Sequence, residues 1–388
     1  MTLTSKDIRH FLSEYKIVAL LIVIALIWAL FGVLTYTPET QTSEFLTSRN
    51  FSNLLRQMSI TGMLASAMVF VIVSGEIDLS IGSLLGMVGG VAAILDVTYG
   101  WPLAGTIAVC LLLGVASSCL VGYLSAYQGI PTFIVTLGGM LVFRGIVLGL
   151  TGGTTIAPVS PEIKYIGQGY LPSVVGDIVA VAVFAILVLI AMRTRAGRIK
   201  HDLPVPSMAK EVGKLAAFGA IIVAFVLNLN NYHGVPVPVL ILLVILGVFT
   251  VIGDMTVFGR RIYAVGSNLE ATRMSGVNVA KVKLMVFGLM GLMCALAGLA
   301  TTARLAAGTP SAGTGAELDA IASCFIGGTS MRGGVGTVGG ALVGATIMAS
   351  LDNGMSMLGV DTFWQQIVKG VILVFAVWMD IVSSGTRR

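Results

Sequence analysis

The sequence predicts an all-α polytopic membrane protein with about 12 membrane segments, and three observations predict it. Apolar types make up 56% of the 388 residues and charged types only 11%, with a mean hydropathy of +0.97, far beyond what a soluble core needs. Uncharged apolar runs about as long as a bilayer is thick recur from one end of the chain to the other. Lys and Arg gather in alternate loops between those runs, as orientation in a membrane requires.

Residues 1–16 are polar and basic, with Lys6, Arg9 and Lys16, and are assigned to the cytoplasm. Residues 17–34 follow as an uncharged run long enough to cross. The run continues into Thr35-Tyr36-Thr37-Pro38 instead of a small-residue cleavage site, which argues for a first span over a signal peptide. Residues 54–73 return inward to Ser74-Gly75-Glu76-Ile77-Asp78-Leu79-Ser80, a turn with two carboxylates, and 81–95 go back out. Asp78 or Ser80 is expected to cap that third span. Spans over 103–126 and 132–150 meet at Gly129-Ile130-Pro131, and 151–172 read as a Gly/Pro-rich outer loop. Residues 174–192 run inward to the densest cationic stretch, from Arg193 to Lys214. A short, weak span over 215–229 and a clear one over 235–253 follow, then an exit over 284–303.

Charge decides the last quarter. Residues 316–328 are only about as long as a re-entrant segment. If they cross, Arg332, Arg387 and Arg388 lie inside; if they only dip, all three lie outside, against the positive-inside bias. Counting 316–328 with 340–351 and 363–379 gives twelve spans and cytoplasmic termini. All of the 23 Lys and Arg are then cytoplasmic except Arg49, Arg56, Arg144, Lys164, Arg304 and Lys369. The net charge of +5 is loop charge facing anionic lipid headgroups, and no nucleic-acid partner is implied.

Within the cytoplasmic loop 254–283, Ser267 and Glu270 have capping-box spacing and Gly276 supplies a left-handed stop. A helix over 268–275 is expected there. It is too short to stand alone, so a neighbouring surface must hold it; the alternative is a surface loop in which Glu270 and Arg273 pair at i, i+3. Cys110, Cys119, Cys294 and Cys324 are scattered through apolar runs, without disulfide or metal spacing. Glycines at every fourth position (Gly336, Gly340, Gly344; Gly145, Gly149, Gly153) predict close helix packing in lipid. No G-x-x-x-x-G-K-[ST] loop occurs. Arg144, twelve residues into span five, needs an internal partner, either a buried ion pair or a functional anion. Lys369 either snorkels or meets Asp352. Glu76, Asp78, Glu317, Asp319 and Asp352 are read at span ends, which argues against an ion-coupled secondary transporter.

Four stretches carry a family resemblance: 74–80 (S-G-E-I-D-L-S), 259–277, 310–320 (P-S-A-G-T-G-A-E-L-D-A) and 327–334. Together they resemble the membrane permease subunit of bacterial ABC sugar importers of the ribose/xylose type. The likeness runs from about Leu46 to Asp380, and the extra pair of segments over 174–232 is what the xylose branch has. The resemblance implies one permease domain over 1–388 in the bacterial inner membrane, paired with a second permease subunit as a homodimer. It further implies a cytoplasmic ABC ATPase that uses ATP and Mg, and a periplasmic sugar-binding protein. This chain would be no enzyme, bind no cofactor itself, and pass a neutral pentose, xylose first. By the same resemblance Asn268, Glu270, Ala271, Arg273 and Gly276 lie where the ATPase is contacted. Arg49, Arg56 and Arg304, near outer span ends, would help dock the binding protein or else anchor lipid headgroups.

Overall fold

Long uncharged runs fold into long helices because the bilayer interior leaves every backbone polar group to be satisfied within its own segment. The computed structural model describes residues 16–39 and 41–385; Lys6, Arg9, Arg387 and Arg388 lie outside the described residues. The first helix, α1 (Lys16–Leu34), leads through a small hairpin of β1 (Tyr36–Thr37) and β2 (Thr42–Ser43) to α2 (Ser48–Val73) and α3 (Ile81–Ala93), which continues as a π-turn over Ile94–Thr98. Next come α4 (Leu103–Ala126), α5 (Thr132–Thr151), the short α6 (Pro161–Gln168), α7 (Ser173–Lys200), α8 (Met208–Asn230) and α9 (Val237–Met255). The chain ends with α10 (Val257–Ser267), α11 (Leu269–Met274), α12 (Val279–Leu305), α13 (Ala316–Ile326), α14 (Val338–Met357) and α15 (Thr362–Gly385).

Among the described residues, eight helices are long and apolar enough to cross a membrane: α2, α3 with its π-turn, α4, α5, α7, α8, α9 and α12. Shorter apolar helices cover Val18–Leu34 and Thr362–Trp378. Burial ranks the eight. The most apolar window of α2 is 78% buried, against 6% in α7 and in α8, so α2 is the centre of the bundle and 174–232 lies at its edge. Phe225 of α8 reaches the core edge-on to Phe51 of α2, 4.8 Å between centroids.

Glycine packing follows expectation in one place and departs from it in another. Gly340 and Gly344 of α14 press against the backbone of Gly327 and Ser323, and small residues there let α13 and α14 close together. Gly145, Gly149 and Gly153 have nothing within 4 Å of where a β-carbon would stand, so that row packs against none of the described residues.

Two crossings are broken. Helix α2 ends at the pole that also holds 327–337, where Gly334 N–H donates to the Val73 carbonyl at 2.9 Å. Residues 74–80 then enter the bundle without helical structure before α3 begins. At the opposite pole α12 ends, and Ile156 and Gly308 exchange backbone hydrogen bonds of 2.9 Å. From there residues 306–315 descend without helix, and α13 completes the passage to Gly327, beside Gly340. The segment 316–328 therefore does not cross by itself. Eleven residues of α13 rise about 16 Å, half the ~30 Å hydrocarbon thickness, and residues 306–315 connect its start to the opposite pole. Arg332 consequently lies at the pole of residues 254–283, as the charge parity required.

Local structure around residue 268 corrects the sequence reading. The stretch before it is not loop but α10, whose Ile262 and Val265 are buried and whose Thr256 hydroxyl caps it at Gly259 N–H, 3.0 Å. Ser267 closes α10, its hydroxyl donating to the Tyr263 carbonyl at 2.8 Å, so it forms no capping box with Glu270. Asn268 is the cap of α11: its backbone is extended, and its Oδ1 accepts from Ala271 N–H at 3.0 Å. A side chain already committed to the end of one helix cannot begin the next. The loop expected over 151–172 likewise contains a helix, α6, started by Ser160 and Pro161, residue types suited to those positions.

Candidate functional site

The pole of residues 254–283 carries the short helix α11. Its Thr272 is buried against the bundle, whereas Leu269, Glu270, Ala271, Arg273, Met274 and Gly276 are exposed. Arg273 and Glu270 form an i, i+3 ion pair at 3.7 Å, worth a few tenths of a kcal/mol at most on an exposed helix (~0.2–0.5). Gly276 follows at φ +82°, the left-handed stop expected of it. Tyr263 of α10 donates its hydroxyl to the Gly336 carbonyl at 2.8 Å. Burial and the nearby Asp254 carboxylate push that phenol above its ordinary range. Lys283 pairs with Glu76, tying the start of α12 to the first break. The expected contact residues Asn268, Glu270, Ala271, Arg273 and Gly276 thus lie together on one ledge, attached to the bundle through α10.

The opposite pole holds a cavity of about 650 Å³ lined by polar groups, among them Glu44, Arg49, Asn53, Arg56, Tyr170 and Tyr232. Arg49 and Arg56 share it because they stand two turns apart on α2. Arg56 bonds the Tyr170 hydroxyl and lies over the Tyr170 ring, 4.5 Å from its centroid, a cation–π arrangement. Arg304 does not line the cavity, but it is close enough to Arg56 for the two charges to act on one another. Nearby, the amides of Asn50 and Asn353 donate to each other at 2.9 and 3.0 Å and fasten α14 to α2.

Between the poles lie most of the charges that the sequence reading set at span ends. Asp78 is fully buried, its Oδ1 accepting from Ser80 N–H at 2.8 Å and from the Ser80 hydroxyl at 2.6 Å. It therefore fixes the turn ahead of α3, and neither Asp78 nor Ser80 caps that helix as expected, because the Ser80 hydroxyl is spent on Asp78 and makes no bond to the first turn. Lys369 of α15 sits between Asp352 of α14 (2.8 Å) and Asp319 of α13 (3.0 Å), so the expected Asp352 partner is real and a second carboxylate joins it. Asp78 precedes α3 and Asp319 lies in the first turn of α13, both inside the bundle because two crossings are broken, and Asp352 lies within α14. The argument they furnished against ion coupling therefore lapses.

Arg144 was expected in a buried ion pair. Its Nη1 instead donates to two backbone carbonyls, Pro310 at 2.5 Å and Ala312 at 3.1 Å. Glu317 is close enough to feel its charge. The carbonyls belong to the non-helical 306–315 segment, which lies in the groove of α3: a β-carbon at Gly86 would stand 2.5 Å from the Ala312 carbonyl oxygen, and one at Gly82 would strike the Gly313 carbonyl and the Glu317 carboxylate. Sequence reasoning missed this arrangement. The available signal was Pro310 followed by Gly313 and Gly315 before a short apolar run, a pattern that breaks helices.

Comparison with known proteins places this geometry in context. The family described as "Branched-chain amino acid transport system / permease component" matches residues 50–201 and 205–377. The chain is 52% identical to the xylose transport system permease protein XylH of Escherichia coli (strain K12), over 94% of this chain and 92% of that protein. It is 51% identical to the XylH protein of Haemophilus influenzae, over 94% and 96%. Identity to the ribose import permease protein RbsC of Escherichia coli (strain K12) is 34%, over 96% and 95%. No solved structure matches the chain.

Proposed function

The chain belongs to the branched-chain amino acid transport system / permease component family, and from that premise we propose that it is the permease subunit of an ATP-driven importer carrying D-xylose into the cytoplasm. One observation carries the choice of sugar: xylose permeases from two organisms match at 52% and 51% over nearly the whole chain, against 34% for a ribose permease. It is a multi-pass protein of the bacterial inner membrane, and its partners are a cytoplasmic ATPase and a sugar-binding protein. Twelve crossings are assigned, adding α1, the 306–326 passage, α14 and α15 to the eight long spans. Both termini are assigned to the cytoplasm, and a second copy completes the pathway.

ATP and Mg belong to the ATPase in this reading. Residues 254–283 form the ledge it grips, with Asn268, Glu270, Ala271, Arg273 and Gly276 on the gripped face. The exposed, capped helix α11, following α10 with its buried Ile262 and Val265, supports that role, since motion passes between proteins only through a piece both hold rigidly. At the other pole Arg49, Arg56 and Arg304 are assigned to docking the binding protein, supported by the cavity that Arg49 and Arg56 share. An ion-coupled sugar transporter is the alternative, which family membership does not favour.

Uptake discriminates the sugar. In cells lacking other pentose routes, this chain with its own ATPase and binding protein is expected to accumulate labelled xylose, with ribose a weak competitor. Strong ribose uptake with none of xylose overturns the assignment.

A further inference from the structure

Non-helical backbone at membrane depth survives only where protein buries it or where it borders water, because lipid satisfies no backbone group. Residues 309–315 are such backbone. They lie away from both poles: the Ala312 carbonyl is beside Gly86, in the middle of α3, and is held by Arg144, well inside α5. One side of the segment is filled by α3 and the Arg144 guanidinium. The other side is open, with Ser311 and Thr314 exposed and Thr309 half-buried.

Resting on the importer reading above, we infer that this open side borders the water-filled path that a second copy completes, and that the hydroxyls of Thr309, Ser311 and Thr314 are the polar ladder along which a neutral polyhydroxylated substrate passes. The existing bonds of these hydroxyls are local. Thr309 and Ser311 share one at 2.9 Å, and Thr314 donates to the Ser311 carbonyl at 2.7 Å. A hydroxyl has one donor and two acceptor sites, so each keeps capacity toward a sugar. Several weak neutral sites in sequence suit conduction, which needs binding firm enough to enter and loose enough to leave. The Arg144 charge is turned away into the Pro310 and Ala312 carbonyls, so it holds the ladder without confronting the substrate.

The test is cysteine accessibility in the complete transporter, with ATPase and binding protein present. Cys110, Cys294 and Cys324 are buried, and a Cys119→Ser background removes the half-buried fourth. Ser311→Cys and Thr314→Cys are each treated with a membrane-impermeant charged thiosulfonate and read by mass. Val181→Cys on α7, 69% exposed at the lipid-facing edge, is the control. Both ladder positions are expected to react, to lose most uptake on reaction, and to be protected by transported sugar, while Val181→Cys stays unlabelled. Labelling reads the path whichever sugar moves, so a failed xylose assignment would leave this result standing. Ladder cysteines that resist the reagent, or that react without loss of uptake and without protection by transported sugar, overturn the inference.

Discussion

Arg144→Met is expected to reduce sugar uptake to near background while the complex still assembles. The side chain is the only charged donor to the Pro310 and Ala312 carbonyls among the described residues, and an unsatisfied buried backbone acceptor costs about 1–3 kcal/mol. Two such losses fall on a segment with no helical bonds of its own, and it carries α13 at its end. Helix α13 in turn supplies Asp319 to the Lys369 cluster, so loosening 306–315 releases the contact between α13 and α15. Arg144→Lys should restore part of the activity, because an ammonium keeps the charge and the donor but not the reach of the guanidinium. Uptake at wild-type rates in Arg144→Met, measured at equal membrane abundance, would remove the clamp from the account.

Ala271→Pro and Arg273→Glu are expected to abolish uptake and sugar-stimulated ATP hydrolysis together, leaving the ATPase bound. Ala271 is the third residue of α11, and its N–H is the group that Asn268 caps. Proline there removes that donor, at a cost of about 1 kcal/mol for a lost cap, in a helix of only six residues with no reserve of its own bonds. Arg273→Glu acts differently. The guanidinium is 64% exposed and its pair with Glu270 is loose at 3.7 Å, so reversal leaves the fold intact and places two like charges on the face assigned to the partner. Transport at wild-type rates in both variants would reduce α11 to a surface loop.

Much of the architecture was legible in the sequence because length and charge report it directly. The eight long spans coincide with apolar runs that carry few charges, and Arg332 falls at the same pole as residues 254–283, as charge parity expects. The two breaks were not legible as crossings, since non-helical backbone carries no 3.6-residue period, and Pro310, Gly313 and Gly315 look the same in a surface loop as inside a bundle. Arg260 and Arg261 gave α10 the look of a polar loop, although Phe258, Ile262 and Val265 already had helical spacing. Ser267 and Asn268 are adjacent residues of equal capping aptitude, and only the end of α10 decides between them. The partner of Arg144 could not be read at all: a backbone carbonyl has no letter. Lys369 was half legible, its Asp352 neighbour named and its Asp319 neighbour hidden by the fold.

ATP dependence is the central claim, and reconstitution tests it most directly. Liposomes containing this chain with its ATPase, and supplied with the binding protein and labelled xylose outside, are expected to accumulate xylose when MgATP is enclosed, to do so equally with a proton ionophore present, and to stop when vanadate is enclosed. The purified chain alone should hydrolyse no ATP, because it has no phosphate-cradling loop. Uptake that persists without ATP and collapses with the ionophore would contradict the account.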